Sequence, residues 1–207
     1  WFDGTGDDAT QATAYPTDAI TADVTYYAKW KALPASVVWS ANYTGAPADS
    51  TITWTGTTDA KLTDVNADWG TLPTLSRAGY TFDGWFANAE GTGDAVTSTP
   101  ETFAAGTTTY YAKWTASGVN IVFHANYDGA DASATITWTG VTDQPLPDEE
   151  AGYTEMPGAD VMKRAGYAFA GWYTDAECTD GNEASMPSAF GSEQIDFYAK
   201  WTAEPAT

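Results

Sequence analysis

The chain holds one cysteine and one histidine, Cys178 and His124. Together these residue types can form a thiolate–imidazole nucleophile, in which the histidine activates the sulfur. Such a dyad needs a matching context around both residues. Cys178 stands in Glu177-Cys178-Thr179-Asp180, and an earlier copy of the same stretch reads Glu90-Gly91-Thr92-Gly93. A position that glycine fills in one copy is not expected to be a reaction centre. His124 falls where the earlier copy has Ser40, and alternation turns both away from the core. A second possible chemistry is cation binding. Asp3-Gly4-Thr5-Gly6-Asp7-Asp8 aligns with Ala89–Asp94 and Ala176–Gly181. Carboxylates among glycines are raw material for Ca²⁺, which collects roughly six to eight oxygens. Asp3, Asp7 and Asp8 are the candidate ligands, but the spaced pattern that ends in a bidentate Glu is missing. We expect solvated acidic turns, no metal, no cofactor and no enzyme activity.

Ten tryptophans offer a third chemistry, stacking on sugars or partner proteins. Most of them recur. Trp1, Trp85 and Trp172 share one position, Trp30, Trp114 and Trp201 another, and Trp54 and Trp138 a third. An aromatic repeated at a fixed place in small modules is expected in the core, because each module must close its own sheet. Trp69 departs from this pattern and aligns with Tyr153. These two are the candidate binding residues, for a glycan or a host or neighbouring-cell surface protein.

The elements that must position these residues come in copies. Tyr26-Tyr27-Ala28-Lys29-Trp30 returns as Tyr110-Tyr111-Ala112-Lys113-Trp114 and as Phe197-Tyr198-Ala199-Lys200-Trp201. Arg77-Ala78-Gly79-Tyr80-Thr81-Phe82-Asp83-Gly84-Trp85 returns as Arg164-Ala165-Gly166-Tyr167-Ala168-Phe169-Ala170-Gly171-Trp172. Three extra residues lie between Pro157 and Arg164 and mark a loop. The register gives a C-terminal half of a truncated repeat over 1–32, complete modules over 33–115 and 116–203, and the start of a linker at 204–207. Trp1 therefore falls inside a repeat, and we expect the protein to extend N-terminally of it.

Alternation over Val119–Tyr127, repeated from Val37 to Tyr43, predicts a half-buried strand. Ile52 and Trp54, Tyr80 and Phe82, and Tyr110 to Trp114 predict three more. Helical signals are short: Asp64–Trp69 and Pro100–Ala105 each have a start residue and a glycine stop. The reading is a mainly β or α+β module, mostly antiparallel, with a short helix or helical turn. The repeated Lys is expected to lay its stem on an aromatic and meet a carboxylate.

Composition excludes some partners. The 28 acidic residues outnumber the 8 basic ones, a net charge of −20. That argues against nucleic acid, which needs clustered Lys and Arg, and against an anionic membrane surface. No apolar run approaches the ~20 residues that span a bilayer.

The two words, with Tyr80, Phe82, Gly84 and Trp85 followed by Tyr110, Tyr111, Lys113 and Trp114, resemble the Listeria–Bacteroides repeat, also called the internalin B-repeat type. The third copy adds Tyr167, Phe169, Gly171, Trp172, Tyr198, Lys200 and Trp201. The resemblance implies tandem β-grasp-like (ubiquitin- or SUMO-like) modules. It implies an extracellular place on a bacterial surface protein, as stalk, spacer or adhesion module packed against adjacent repeats of its own chain. The segments 64–70 and 148–158 are longer than that pattern usually has.

Overall fold

The computed structural model describes Phe2, Gln11 and residues 23–64, 70–130 and 134–205. The fold is mainly β, with two four-stranded sheets among the described residues. The first holds β1 (Pro34–Ser40), β2 (Ile52–Thr57), β3 (Tyr80–Phe86) and β4 (Gly106–Ala116), in the order β2-β1-β4-β3. The second holds β5 (Gly118–His124), β6 (Ile136–Val141), β7 (Tyr167–Tyr173) and β8 (Ile195–Ala203), in the order β6-β5-β8-β7. The chain divides into two compact units. One comprises Trp1–Ser40, Pro47–Leu72 and Thr97–Tyr110; the other comprises Ala41–Ala46, Pro73–Val96 and Tyr111–Thr207. Among the described residues no helix is long and apolar enough to cross a membrane.

Within the second sheet the edge pairings are antiparallel and the central one is parallel. Ile121 pairs with Trp138 on one side and with Ile195 on the other, and Trp172 pairs with Ala199. Alternation on β5 places Val119, Ile121 and Phe123 in a core with Trp138, Trp172, Phe190 and Phe197. Phe123 sits at the centre, with ring centroids 4.8 Å from Trp138, 5.0 Å from Trp172 and 5.5 Å from Phe197. In the first sheet Trp39 takes that place, fully buried beside Trp54 and stacked on Tyr110 at 4.6 Å.

The Gly-Trp word has a structural cause. The register of β3 against β4 slips between Phe82 and Gly84, and that of β7 against β8 between Phe169 and Gly171. Gly84 has φ +123° and Gly171 +122°, a conformation that L side chains rarely adopt. The bulge changes the phase of alternation, so residues three apart share a face. Phe82 then meets Trp85 edge-on at 5.4 Å, and Phe169 meets Trp172 at 5.3 Å.

Three expectations are corrected. Pro100–Ala105 is not helical but extended, with Leu62 N–H donating to Glu101 O at 3.1 Å and Phe103 N–H to Ala60 O at 3.0 Å. Pairing with the segment after β2 satisfies these backbone groups and buries Phe103 completely, which a single helical turn would not do. A 3₁₀ turn covers Leu62–Asp64, and the rest of the expected turn over Asp64–Trp69, from Val65 on, lies outside the described residues. The first strand of each repeat stops short of Asn42 and Asn126, because both take positive φ, 58° and 55°. Trp30 is 89% exposed, unlike its counterparts Trp114 and Trp201. Those two donate from the indole to the alanine carbonyl of an Ala-Asn-Tyr word.

Candidate functional site

The repeated polar and aromatic side chains converge where the Ala-Asn-Tyr, Arg-Ala-Gly-Tyr and Ala-Lys-Trp words meet. Asn126 Nδ2 donates to Ala176 O at 2.9 Å and to Ala199 O at 3.1 Å. Asn42 does the same with Ala89 O at 2.8 Å and Ala112 O at 3.0 Å. Each asparagine therefore ties the acidic loop to the Ala-Lys-Trp strand. Its left-handed backbone aims the amide inward, a conformation Asn tolerates better than most residues. The indoles also bind backbone. Trp114 Nε1 donates to Ala41 O and Trp201 Nε1 to Ala125 O, at 2.7 and 2.6 Å. Trp85 and Trp172 donate to Pro73 O and Pro157 O, both at 2.7 Å.

The arginine of each copy lies between two tyrosines. The Arg77 guanidinium is 4.4 Å from the Tyr43 ring and 3.5 Å from the Tyr80 ring. Arg164 is 4.8 Å from Tyr127 and 3.7 Å from Tyr167. Such cation–π contacts hold the planar cation by its faces and leave its edge free for an anion. In the first copy that edge meets Asp143 Oδ2 at 3.5 Å, and the Tyr80 hydroxyl donates to the same oxygen at 2.5 Å. That hydrogen bond, then burial, raises the Tyr80 phenol above its ordinary 10.0, while Arg77 works the other way.

The repeated Lys holds the acidic loop by a carbonyl. Lys113 Nζ donates to Gly91 O at 3.0 Å, and Lys200 Nζ to Cys178 O at 3.3 Å. Gly91 and Cys178 both have positive φ, 62° and 52°. Both ammonium groups lie near an aromatic ring, Phe86 at 5.1 Å and Tyr173 at 4.5 Å. Of Lys113 and Lys200, it is Lys200 that meets a carboxylate, Asp180 at 2.9 Å, because Gly93 stands at the equivalent place in the loop beside Lys113. The Asp180 hydrogen bond, then that of Tyr173, raises the Lys200 pKa well above its usual value.

Within the third-copy loop, Asp175 accepts from Asn182 Nδ2 at 2.9 Å, from Thr179 N–H at 3.2 Å and from the Thr179 hydroxyl at 3.0 Å. These bonds, led by Asn182, hold its carboxyl below the usual range. Asn88 does the same work in the earlier loop, accepting from Thr92 N–H at 3.1 Å. The position thus supplies an acceptor oxygen in both copies and a charge in only one. Among the described residues no group of three His, Cys, Asp or Glu side chains is placed to hold a metal ion. Asp3, Asp7 and Asp8 lie outside the described residues.

His124 and Cys178 have separate partners. His124 Nε2 is 2.7 Å from Asp196 Oδ1, and its ring stacks on Tyr198 at 4.9 Å. Cys178 Sγ takes a hydrogen bond from Asn126 at 3.4 Å. Burial pushes its thiol up, opposite to what a nucleophile needs. Tyr153 is half-buried. Its ring stacks on Trp138 at 4.8 Å and meets Phe190 edge-on at 6.0 Å, and its hydroxyl accepts from Thr139 N–H at 3.1 Å. Trp69 lies outside the described residues.

Sequence reasoning marked the Lys, Gly and Trp positions but missed the roles of Asn42, Asn126, Arg77 and Arg164. The signal was present, since all four sit inside repeated words. What alternation alone cannot give is a backbone that turns left-handed at the asparagine.

Comparison with known proteins agrees with the repeat. The model of the Listeria-Bacteroides repeat domain matches residues 49–113 and 120–200. The chain is also similar to a "Putative Gly-rich membrane protein" of Evansella cellulosilytica, 28% identical over 182 residues. That alignment takes in 86% of this chain and spans 18% of the relative's length.

Proposed function

We propose that this chain, which belongs to the Listeria-Bacteroides repeat family, is a non-enzymatic stalk of β-grasp-like modules on the outside of a bacterial cell, spacing or presenting an adhesive region. One observation carries the reading. The first and last strands of the second sheet, β5 and β8, are neighbours and run parallel, with Ile121 to His124 paired to Ile195 to Tyr198. Chain enters at the start of β5 and leaves at the end of β8. Tension along the chain therefore pulls the two strands past one another and loads their hydrogen bonds together in shear. Breaking several bonds at once is harder than peeling them one by one. The net charge of −20 suits the role, because like-charged neighbours stay apart and in solution. The name of the Evansella relative, a membrane protein, supports a cell-envelope setting.

The competing role is a binding module that uses Trp69 and Tyr153. Glycan and matrix-protein arrays probed with the whole chain separate the two. The stalk reading expects no spot above background. Binding that disappears in Trp69→Ala with the fold intact would replace it with a receptor.

A further inference from the structure

The two copies of the Arg-Ala-Gly-Tyr word differ in what covers them. Gly79 is packed so closely that a Cβ there would lie 2.6 Å from Thr142 Cγ2 and 2.9 Å from Ser192 Cα. Tyr80 bonds Asp143, and Thr142 is 4% exposed. All of these residues belong to the second compact unit. At Gly166 the same added Cβ would meet nothing within 4 Å, and Tyr167 is 36% exposed. The backbone beside each edge is nevertheless the same. Ser117 N–H donates to Gly79 O at 2.8 Å, and Glu204 N–H to Gly166 O at 2.9 Å. Arg164 lies on Tyr127 and Tyr167 as Arg77 lies on Tyr43 and Tyr80, with no carboxylate opposite among the described residues.

The covering piece is also repeated. Thr142 N–H donates to Ser117 O at 3.0 Å and Thr58 N–H to Leu33 O at 2.9 Å. Asp143 and Asp59 both have positive φ, 64° and 66°. Each repeat thus presents a Thr-Asp turn at one end and an Arg-Gly-Tyr edge at the other.

We propose that the exposed edge of Arg164, Gly166 and Tyr167 is a docking surface for the Thr-Asp turn of a further repeat joined in the same chain after β8. The aspartate takes the guanidinium edge and the tyrosine hydroxyl, and the threonine methyl covers the glycine. Seating the turn pairs an otherwise single cation and covers exposed aromatic surface. This rests on the reading of the chain as stacked modules. An edge that stays open would leave the shear geometry of β5 and β8 untouched, so the two ideas fail separately.

Hydroxyl-radical footprinting of the whole chain, with tyrosine oxidation located by mass spectrometry, tests the inference in two steps. In the chain itself Tyr80 is expected to be protected relative to Tyr167, and Asp143→Ala to raise Tyr80 oxidation to the Tyr167 level. In a chain lengthened by a second copy of residues 117–203 after Ala203, Tyr167 is expected to become as protected as Tyr80. Unchanged Tyr167 oxidation in a folded lengthened chain overturns the proposal. So does an Asp143→Ala variant that leaves Tyr80 protected, a result that does not depend on the longer chain folding. Protection of Tyr167 that grows with concentration in the original chain also overturns it, by placing the occupant on a separate molecule.

Discussion

Single side chains here mostly hold backbone. Asn126 is the clearest case, because one amide bonds two carbonyls from different segments. Asn126→Ala removes both bonds and leaves an alanine at φ 55°. Each bond is worth about 1 kcal/mol and the left-handed backbone about 1 more, so a loss of about 2–3 kcal/mol is expected in chemical denaturation. Asn126→Gly should recover about 1 kcal/mol of it, because glycine accepts the backbone. Asp196 gives a pH signature. The hydrogen bond with His124 holds its carboxyl below the usual range; burial opposes this, and the Gln194 hydrogen bond adds to it to a lesser degree. A carboxyl depressed in the fold contributes stability above its unfolded value of 3.8 and loses it as pH falls through the folded value. His124→Ala should therefore flatten the acid limb of a melting-temperature profile below about pH 4. An unchanged acid limb would mean that the pair does not act in solution.

At the scale of elements, much of the strand pattern was legible. Val119, Ile121 and Phe123 alternate along β5 and all three are buried in one core, although Val122 on the other face is buried as well. Recurrence of Gly-Trp marked a special place, but alternation could not show that Gly84 and Gly171 sit at bulges that bring Trp85 and Trp172 onto the same face as Phe82 and Phe169. The helical expectation at Pro100–Ala105 failed for a physical reason. Local cap and stop signals are weak beside the burial of Phe103 and the backbone pairing it brings. The second repeat repeats this arrangement. Phe190 N–H donates to Gln144 O at 2.9 Å, and the ring packs over Gly140. A Cβ at Gly140 would stand 2.6 Å from the Phe190 ring and from Gln144 Oε1. Gly140→Ala should cost about 1–3 kcal/mol by overpacking. Gly118→Ala, whose Cβ would meet only a carbonyl at 4.0 Å, is the control for the backbone change itself. Equal effects of the two would show that the ring is free to move aside.

For the molecule as a whole, the repeat period was readable from identical words, and the family model matches over both repeats. How one word meets the next was not readable. Asp143 is a single acidic residue in a turn, and nothing in its local sequence says that Tyr80 and Arg77 hold it. Contacts between residues so far apart in sequence appear only once the sheets are formed. The proposed role rests on that larger order, with aromatic clamps closing each sheet and a parallel pair joining the first and last strands of the second.

Stretching single molecules of the whole chain by their ends tests this account most directly. Strands loaded in shear should give discrete, high-force unfolding events, each releasing about 30 nm for a repeat extended at ~3.5 Å per residue. Smooth lengthening at low force, without steps of that size, would contradict the claim that these repeats are built to bear tension.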